Sequence, residues 1–157
     1  MFFKKKNKTL FAMANGKSVA IEQVPDEVFA TKMMGDGIAV KPNEGKIYSP
    51  CHGCVKMVMD NTKHALGIVN DDGIEILIHV GLDTVNLAGI GFEAFVKAGD
   101  EVETGDLLIS YNKEQFEKDG INDITMLVIT NLNNHKIVKY HLNEDVQIKH
   151  SVILEYK

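Results

Sequence analysis

Short runs of apolar and β-branched residues, separated by turn residues, dominate the hydrophobic pattern of this chain. Thirteen glycines contribute to those turns. Many short strands at close spacing are typical of an antiparallel sandwich or barrel. The runs are SVAIEQV (18–24), GIAVKP (37–42), KIYSP (46–50), CVKMVM (54–59), HALGIV (64–69), IEILIHV (74–80), DLLISY (106–111), ITMLVIT (124–130) and VQIKHSVILEY (146–156).

One phrase nearly recurs along the chain, as GDGIAV at 35–40 and GDLLIS at 105–110. Each copy couples a Gly-Asp turn to a strand, a pattern that an internal duplication would produce, although two short matches alone do not establish one. The predicted fold is therefore all-β, an antiparallel β-sandwich of barrel-like character with a duplicated hybrid motif and one or two short helices.

Two segments carry helical signals. KEQFEKD follows Asn112, a favourable N-cap residue, and Gly120 comes directly after it, where a glycine commonly ends a helix. A shorter helical turn is predicted in DEVFATKMM, after Pro25. No other part of the chain predicts a convincing helix.

The length of 157 residues fits one domain with a substantial core. We predict a flexible N-terminal arm over residues 1–16, where lysines follow two phenylalanines without periodicity, and a single domain over 17–157. No apolar run reaches 18 residues, so we expect no stable membrane insertion. MFFKKKNK lacks an apolar h-region, so we expect no secretory signal and a cytoplasmic protein.

The charge composition excludes some function classes. All seventeen basic residues are lysines and the formal net charge is −5, so the basic face and arginine forks typical of nucleic-acid binding are missing. A GxxxxGK[ST] phosphate loop is also absent from the sequence, which argues against nucleotide binding. Any phosphate chemistry here proceeds without an arginine from this chain.

The segment HALGIVNDDGIEILIHVGLD predicts a β-hairpin that brings two histidines together. With Asp71 and Asp72 as a two-residue loop, His64 stands opposite His79, with Cβ atoms about 4.5–5.5 Å apart. A loop at Asp72-Gly73 keeps both histidines on one face. A three-residue loop would separate them, because side chains alternate along a strand.

Paired imidazoles can serve two chemistries. Both can bind a metal as neutral rings. Alternatively, one ring is a nucleophile while the other donates a hydrogen bond to the group being transferred. The hydroxyl of Thr62 lies two residues before His64, on the same side if the strand extends that far. The turn after His79 can bring the carboxylate of Asp83 near.

Several motifs resemble the glucose-type enzyme IIA of the bacterial phosphoenolpyruvate-dependent sugar phosphotransferase system. The similarity covers about residue 17 to the C-terminus, and it is most specific around His79. The motifs are GDGIAVKP (35–42), the SPCHG turn (49–53), TKHALGI (62–68), GIEILIHVGLDTVNLAGIGF (73–92) and VKAGDEVETGDLL (96–108).

The resemblance implies an antiparallel β-sandwich and a phosphotransferase that forms a phosphohistidine. Its partners would be the phosphocarrier HPr, which donates the phosphoryl group, and the enzyme IIB domain of a membrane sugar permease, which accepts it on a cysteine. The phosphoryl acceptor corresponds to His79, the phosphoryl-stabilising histidine to His64, and the threonine that orients His64 to Thr62.

The same resemblance implies a partner-binding rim. Its acidic positions, which meet an arginine of HPr, fall on Asp83 and Asp26, and its apolar positions on Phe29 and Val85. Carboxylates at a rim steer a cationic partner more than they add affinity. We therefore expect Asp83 to face the partner and not the transferred phosphate.

Other readings of these residues remain open from sequence alone. His79 and Asp83 form an HxxxD pair, as in zinc hydrolases on duplicated β folds, although such enzymes also need an HxH pair. Lys56 lies in a segment that weakly resembles a lipoyl or biotinyl carrier, and a binding protein without turnover is a third alternative. Cys51 and Cys54 are expected to be inert thiols, and no metal or cofactor is expected.

Overall fold

The computed structural model describes residues 8–157, and strands make up most of the regular structure there. Two short α-helices, α1 (Glu27–Ala30) and α2 (Lys113–Lys118), and two 3-10 turns (Ile21–Gln23 and Thr84–Leu87) complete the described elements. The strands are β1 (Lys8–Phe11), β2 (Gly16–Ala20), β3 (Asp36–Pro42), β4 (Lys46–Tyr48), β5 (Gly53–Val58), β6 (Ala65–Asn70), β7 (Glu75–Val80), β8 (Phe92–Ala94), β9 (Glu101–Val102), β10 (Leu107–Tyr111), β11 (Thr125–Asn131), β12 (Ile137–Tyr140), β13 (Asp145–Val146) and β14 (Val152–Tyr156).

These strands form three antiparallel sheets. The largest has eight strands in the order β13-β2-β3-β11-β7-β6-β5-β9, and the smaller ones have the orders β1-β14-β12 and β4-β10-β8. The prediction of an all-β, antiparallel sandwich with two short helices is confirmed. Over residues 8–157 each sheet keeps two free edges, so no barrel closes.

The main core lies between the large sheet and the two smaller ones. Strand β7 shows how the alternation of side chains divides its residues between two faces. Ile76, Ile78 and Val80 are at most 1% exposed and belong to the core shared by all three sheets. Leu77 and His79 lie on the opposite face, where a smaller apolar cluster forms. The large sheet therefore offers a second face on which a site can form.

The structure of residues 8–16 differs from the flexible arm predicted for residues 1–16. Lys8–Phe11 form β1, which pairs with β14 in the register Leu10↔Leu154, and Leu10 and Met13 are fully buried. The flexible arm therefore does not extend through residue 16, and residues 1–7 lie outside the described residues. The sequence analysis did not predict this strand, because it is stabilised by a partner strand at the other end of the chain.

Both helical predictions are confirmed. In α2, the Asn112 side chain accepts a hydrogen bond of 3.0 Å from the Gln115 amide, and Phe116 turns into the core at 2% exposure. Gly120 follows with φ of 69°, a left-handed conformation that glycine adopts without strain. Helix α1 begins after Asp26, whose side chain accepts from the Val28 amide at 2.9 Å.

Candidate functional site

His79 lies near the end of β7, on the face of the large sheet that is turned away from the main core. Its neighbours across the sheet are Ala65 on β6 and Met126 on β11. The ring is half-buried. A histidine placed between two hydrogen-bonded strands has a fixed backbone, so its ring position depends on the few groups around it.

The hairpin that leads to His79 differs from the predicted one. The Asn70 amide donates to the Ile74 carbonyl, and residues 71–73 form a three-residue loop in which Gly73 has φ of 79°. The Asn70 side-chain oxygen accepts from the amides of Asp72 and Ile74, both at 3.0 Å, which stabilises this longer loop. The two-residue loop was therefore wrong, and His79 stands opposite Ala65.

The two histidine rings are nevertheless adjacent, with ring centroids 4.7 Å apart and planes at 85°. His64 precedes β6 and follows Lys63, which has φ of 53°. Side chains alternate between the two faces of a sheet only within an extended strand. His64 lies in the turn just before the strand, so its ring can reach His79 although Ala65, not His64, is paired with His79. His64 is 4% exposed, and its Nδ1 lies 2.8 Å from the Thr62 hydroxyl.

Two further groups fix the His79 ring. Its Nδ1 lies 3.0 Å from the carbonyl oxygen of Gly81, two residues along the chain. The Phe29 ring packs against it at a centroid distance of 4.9 Å and an angle of 59°. Phe29 reaches this position from α1. The contact with the Gly81 carbonyl was not predicted from sequence, because any residue type supplies a backbone carbonyl. The one available signal was the presence of a glycine two residues after the histidine.

The remaining predicted residues surround this centre. Asp26, the N-cap of α1, is partly exposed. Asp83 is exposed, with φ of 57°, directly before the 3-10 turn Thr84–Leu87. Val85 lies in that turn at 48% exposure. The structure thus brings His79, His64, Thr62 and Phe29 into contact and leaves Asp83 and Val85 on the surface.

The electrostatic environment keeps the His79 ring neutral. Burial, together with the neighbouring His64, lowers the pKa of His79 to about 4, against the opposing effects of the Gly81 carbonyl and of the carboxylates of Asp26 and Asp83. Burial also lowers the pKa of His64 below its ordinary value. Both imidazoles are therefore neutral near pH 7, each with one N–H and one free lone pair.

We expect the His79 ring to titrate with a midpoint of about 4 in the folded protein, followed by NMR of its ring resonances. In urea the same ring should titrate near the ordinary histidine value of about 6.5. Because the unfolded chain binds this proton more readily, the contribution of His79 to stability is complete above pH 6.5 and declines as the pH falls towards 4. A folded-state midpoint at or above 6.5 would contradict the burial described here.

The structure also places the two cysteines and their neighbours. Among residues 8–157, no three His, Cys, Asp or Glu side chains cluster closely enough to hold a metal ion. Burial, with a smaller effect from Asp71, raises the pKa of the Cys51 thiol to about 12, so it stays protonated. The Cys54 thiol donates to the Val55 carbonyl, and His52, between the two cysteines, is paired with Asp71.

No helix among residues 8–157 has the length and apolar character to cross a bilayer.

Three comparisons relate this chain to one family of known proteins. Residues 8–135 match the family described as phosphoenolpyruvate-dependent sugar phosphotransferase system, EIIA 1. The chain is 48% identical over 131 residues to the PTS system glucose-specific EIIA component of Oceanobacillus iheyensis, covering 83% of this chain and 79% of that protein. It is similar to the solved structure of glucose permease IIA from Mycoplasma capricolum, with a TM-score of 0.86, 34% identity and 99% of each chain covered.

Proposed function

The chain belongs to the EIIA 1 family of the phosphoenolpyruvate-dependent sugar phosphotransferase system, and we propose that it carries a phosphoryl group on His79. The group arrives from the phosphocarrier HPr and leaves to a cysteine of the enzyme IIB domain of a membrane sugar permease, so the protein acts in the cytoplasm. The observation that carries this proposal is the pair of neutral, adjacent imidazoles, one held by Gly81 and the other by Thr62.

Hydrogen bonding selects the reactive nitrogen of His79. A carbonyl oxygen can only accept, so the contact with Gly81 requires the proton on Nδ1 and leaves the lone pair on Nε2. Nε2 then attacks the phosphorus, the phosphorus–nitrogen bond of the donor breaks, and its electron pair remains on the donor ring. Positive charge develops on the His79 ring, where the Gly81 carbonyl and the nearby carboxylates of Asp26 and Asp83 stabilise it.

His64 has the complementary role. We assign the Thr62 hydroxyl as the donor to Nδ1 of His64, 2.8 Å away, and the ring proton to Nε2. That N–H donates to an oxygen of the phosphoryl group on His79. Catalysis of phosphoryl transfer consists mostly of positioning and of stabilising charge on the phosphoryl oxygens. Since the chain contains no arginine, His64 is the donor that we assign to this task.

Onward transfer reverses the chemistry. The cysteine thiolate of the IIB domain attacks the phosphorus, the bond to Nε2 breaks, and His79 returns to the neutral Nδ1–H form. Two proteins must reach the same atom in turn, which suits a half-buried ring on an open sheet face. Apolar side chains with substantial exposure on α1 and the turn after β7, Val28 at 40% and Val85 at 48%, offer contact area around it.

The test is to incubate the protein with phosphoenolpyruvate, enzyme I and HPr and to measure its intact mass. We expect a gain of one phosphoryl group, labile in acid and stable in base, that peptide mapping assigns to His79. Omission of HPr should prevent the gain. A phosphoryl group on another residue, or none at all, would overturn the proposal, and stoichiometric zinc or a covalent lipoyl or biotinyl mass would favour the alternative functions.

A further inference from the structure

The peptide bond between Gly81 and Leu82 links the His79 ring to a neighbouring segment. Its carbonyl accepts from Nδ1 of His79 at 3.0 Å, and its amide N–H donates to the Asn122 carbonyl at 2.9 Å. In a planar trans peptide these two groups point in opposite directions. Whatever holds the Leu82 amide therefore also aims the Gly81 carbonyl at the histidine.

A turn before β11 provides that hold. The Asn122 side-chain oxygen accepts from the Ile124 amide at 3.0 Å, an Asx turn that fixes the backbone between them. Besides the Asn122 carbonyl, this turn presents the Ile124 carbonyl, which accepts from the Gly81 amide at 3.0 Å. Two consecutive amides after His79 are thus anchored to one side-chain-stabilised turn.

Thr84 holds the preceding peptide bond, Val80–Gly81, from within its own turn. Its side chain is completely buried, and its hydroxyl donates to the Val80 carbonyl, which closes the chain around Gly81. Its methyl group fills the space beside Gly81, because a Cβ on Gly81 would lie 2.5 Å from Cγ2 of Thr84. Gly81 has φ of 77°, which a glycine adopts without strain.

We propose that Thr84 and Asn122 are positioning residues that lock His79 in the Nδ1–H tautomer by clamping the two peptide bonds that flank Gly81, Thr84 through the Val80 carbonyl and Asn122 through the Leu82 amide. This inference rests on the proposed function, in which Nε2 of His79 is the nucleophile. When the clamp loosens, the ring exchanges between its two tautomers, and the Nε2–H form has no lone pair at the reacting atom. Neither residue touches the phosphoryl group.

The first test compares Thr84→Val, which removes the hydroxyl at nearly constant volume, with Thr84→Ser, which keeps it. Nitrogen-15 NMR of the His79 ring should give a single Nδ1–H tautomer in the wild type and in Thr84→Ser, and a mixture in Thr84→Val. We expect Thr84→Val to lower the rate of phosphoryl uptake from phospho-HPr by roughly ten- to a hundredfold. Thr84→Ser should stay within about threefold of the wild type.

Ser49→Ala is the matched structural control. It removes another fully buried hydroxyl that donates to a backbone carbonyl, that of Cys51, in the turn before β5. A merely structural effect would slow Ser49→Ala and Thr84→Val equally and leave the His79 tautomer unchanged in both, and that result would overturn the proposal.

Asn122 gives an independent second test, because its side chain is exposed and its replacement leaves the core intact. Asn122→Ala should shift the His79 tautomer towards the mixture, and Asn122→Asp, which retains the acceptor oxygen, should restore it. If neither Thr84→Val nor Asn122→Ala alters the tautomer, the clamp is refuted. Failure of the wild type to become phosphorylated on His79 would instead refute the proposed function, since the tautomer is measured without any phosphoryl donor.

Discussion

Replacing His79 by alanine is expected to abolish phosphoryl uptake from phospho-HPr. The substitution removes the only atom to which we assign the new bond, Nε2, and the neighbouring His64 cannot replace it. His64 is 4% exposed, and in the tautomer that we assign to it Nε2 carries the proton, so it lacks a lone pair there. The measurement is transfer of labelled phosphate from HPr, followed over time and by intact mass.

The matched control for this experiment is His150→Ala. His150 is exposed on the segment between β13 and β14, and it has no part in the site. We expect this variant to take up phosphate at the wild-type rate. Unchanged circular dichroism of His79→Ala would show that the sheet remains folded. Labelling of His79→Ala on another histidine would show that the acceptor had been assigned to the wrong residue.

Local signals predicted the elements whose determinants lie within a few residues. Helix α2 was predicted because Asn112 caps the chain that follows it, and β7 was predicted because IEILIHV is rich in apolar and β-branched residues. Strand β1 was missed because its burial depends on β14, more than a hundred residues away. Pairing across such a distance has no signature in a short window of sequence.

The sequence predicted that the rings of His64 and His79 lie close together, but not the geometry that brings them together. Proximity of His64 and His79 was expected from a two-residue hairpin loop, yet the Asn70 side chain stabilises a three-residue loop. The rings meet because His64 precedes the strand, after the left-handed Lys63. The role of the Gly81 carbonyl depends on a turn contacted by residues 122–124, and such main-chain contacts become visible only in three dimensions.

Replacing His64 by glutamine is expected to separate the two halves of the reaction. During uptake, the resemblance to the enzyme IIA family implies that HPr brings an arginine, which neutralises charge on the phosphoryl oxygens. Uptake should therefore stay within about tenfold of the wild type. Once HPr has left, the His64 N–H is the donor that this chain supplies, so onward transfer to the IIB domain should fall by roughly a hundredfold or more.

The measurement is single-turnover transfer in each direction, starting from phospho-HPr or from the isolated phosphoprotein. Thr62→Val is the matched variant, because it keeps the His64 ring and removes the hydroxyl 2.8 Å from its Nδ1. It should slow onward transfer less than His64→Gln, since the ring still populates the Nε2–H tautomer part of the time. Equal losses in both directions for His64→Gln would mean that His64 positions His79 itself, and undiminished onward transfer would remove it from the mechanism.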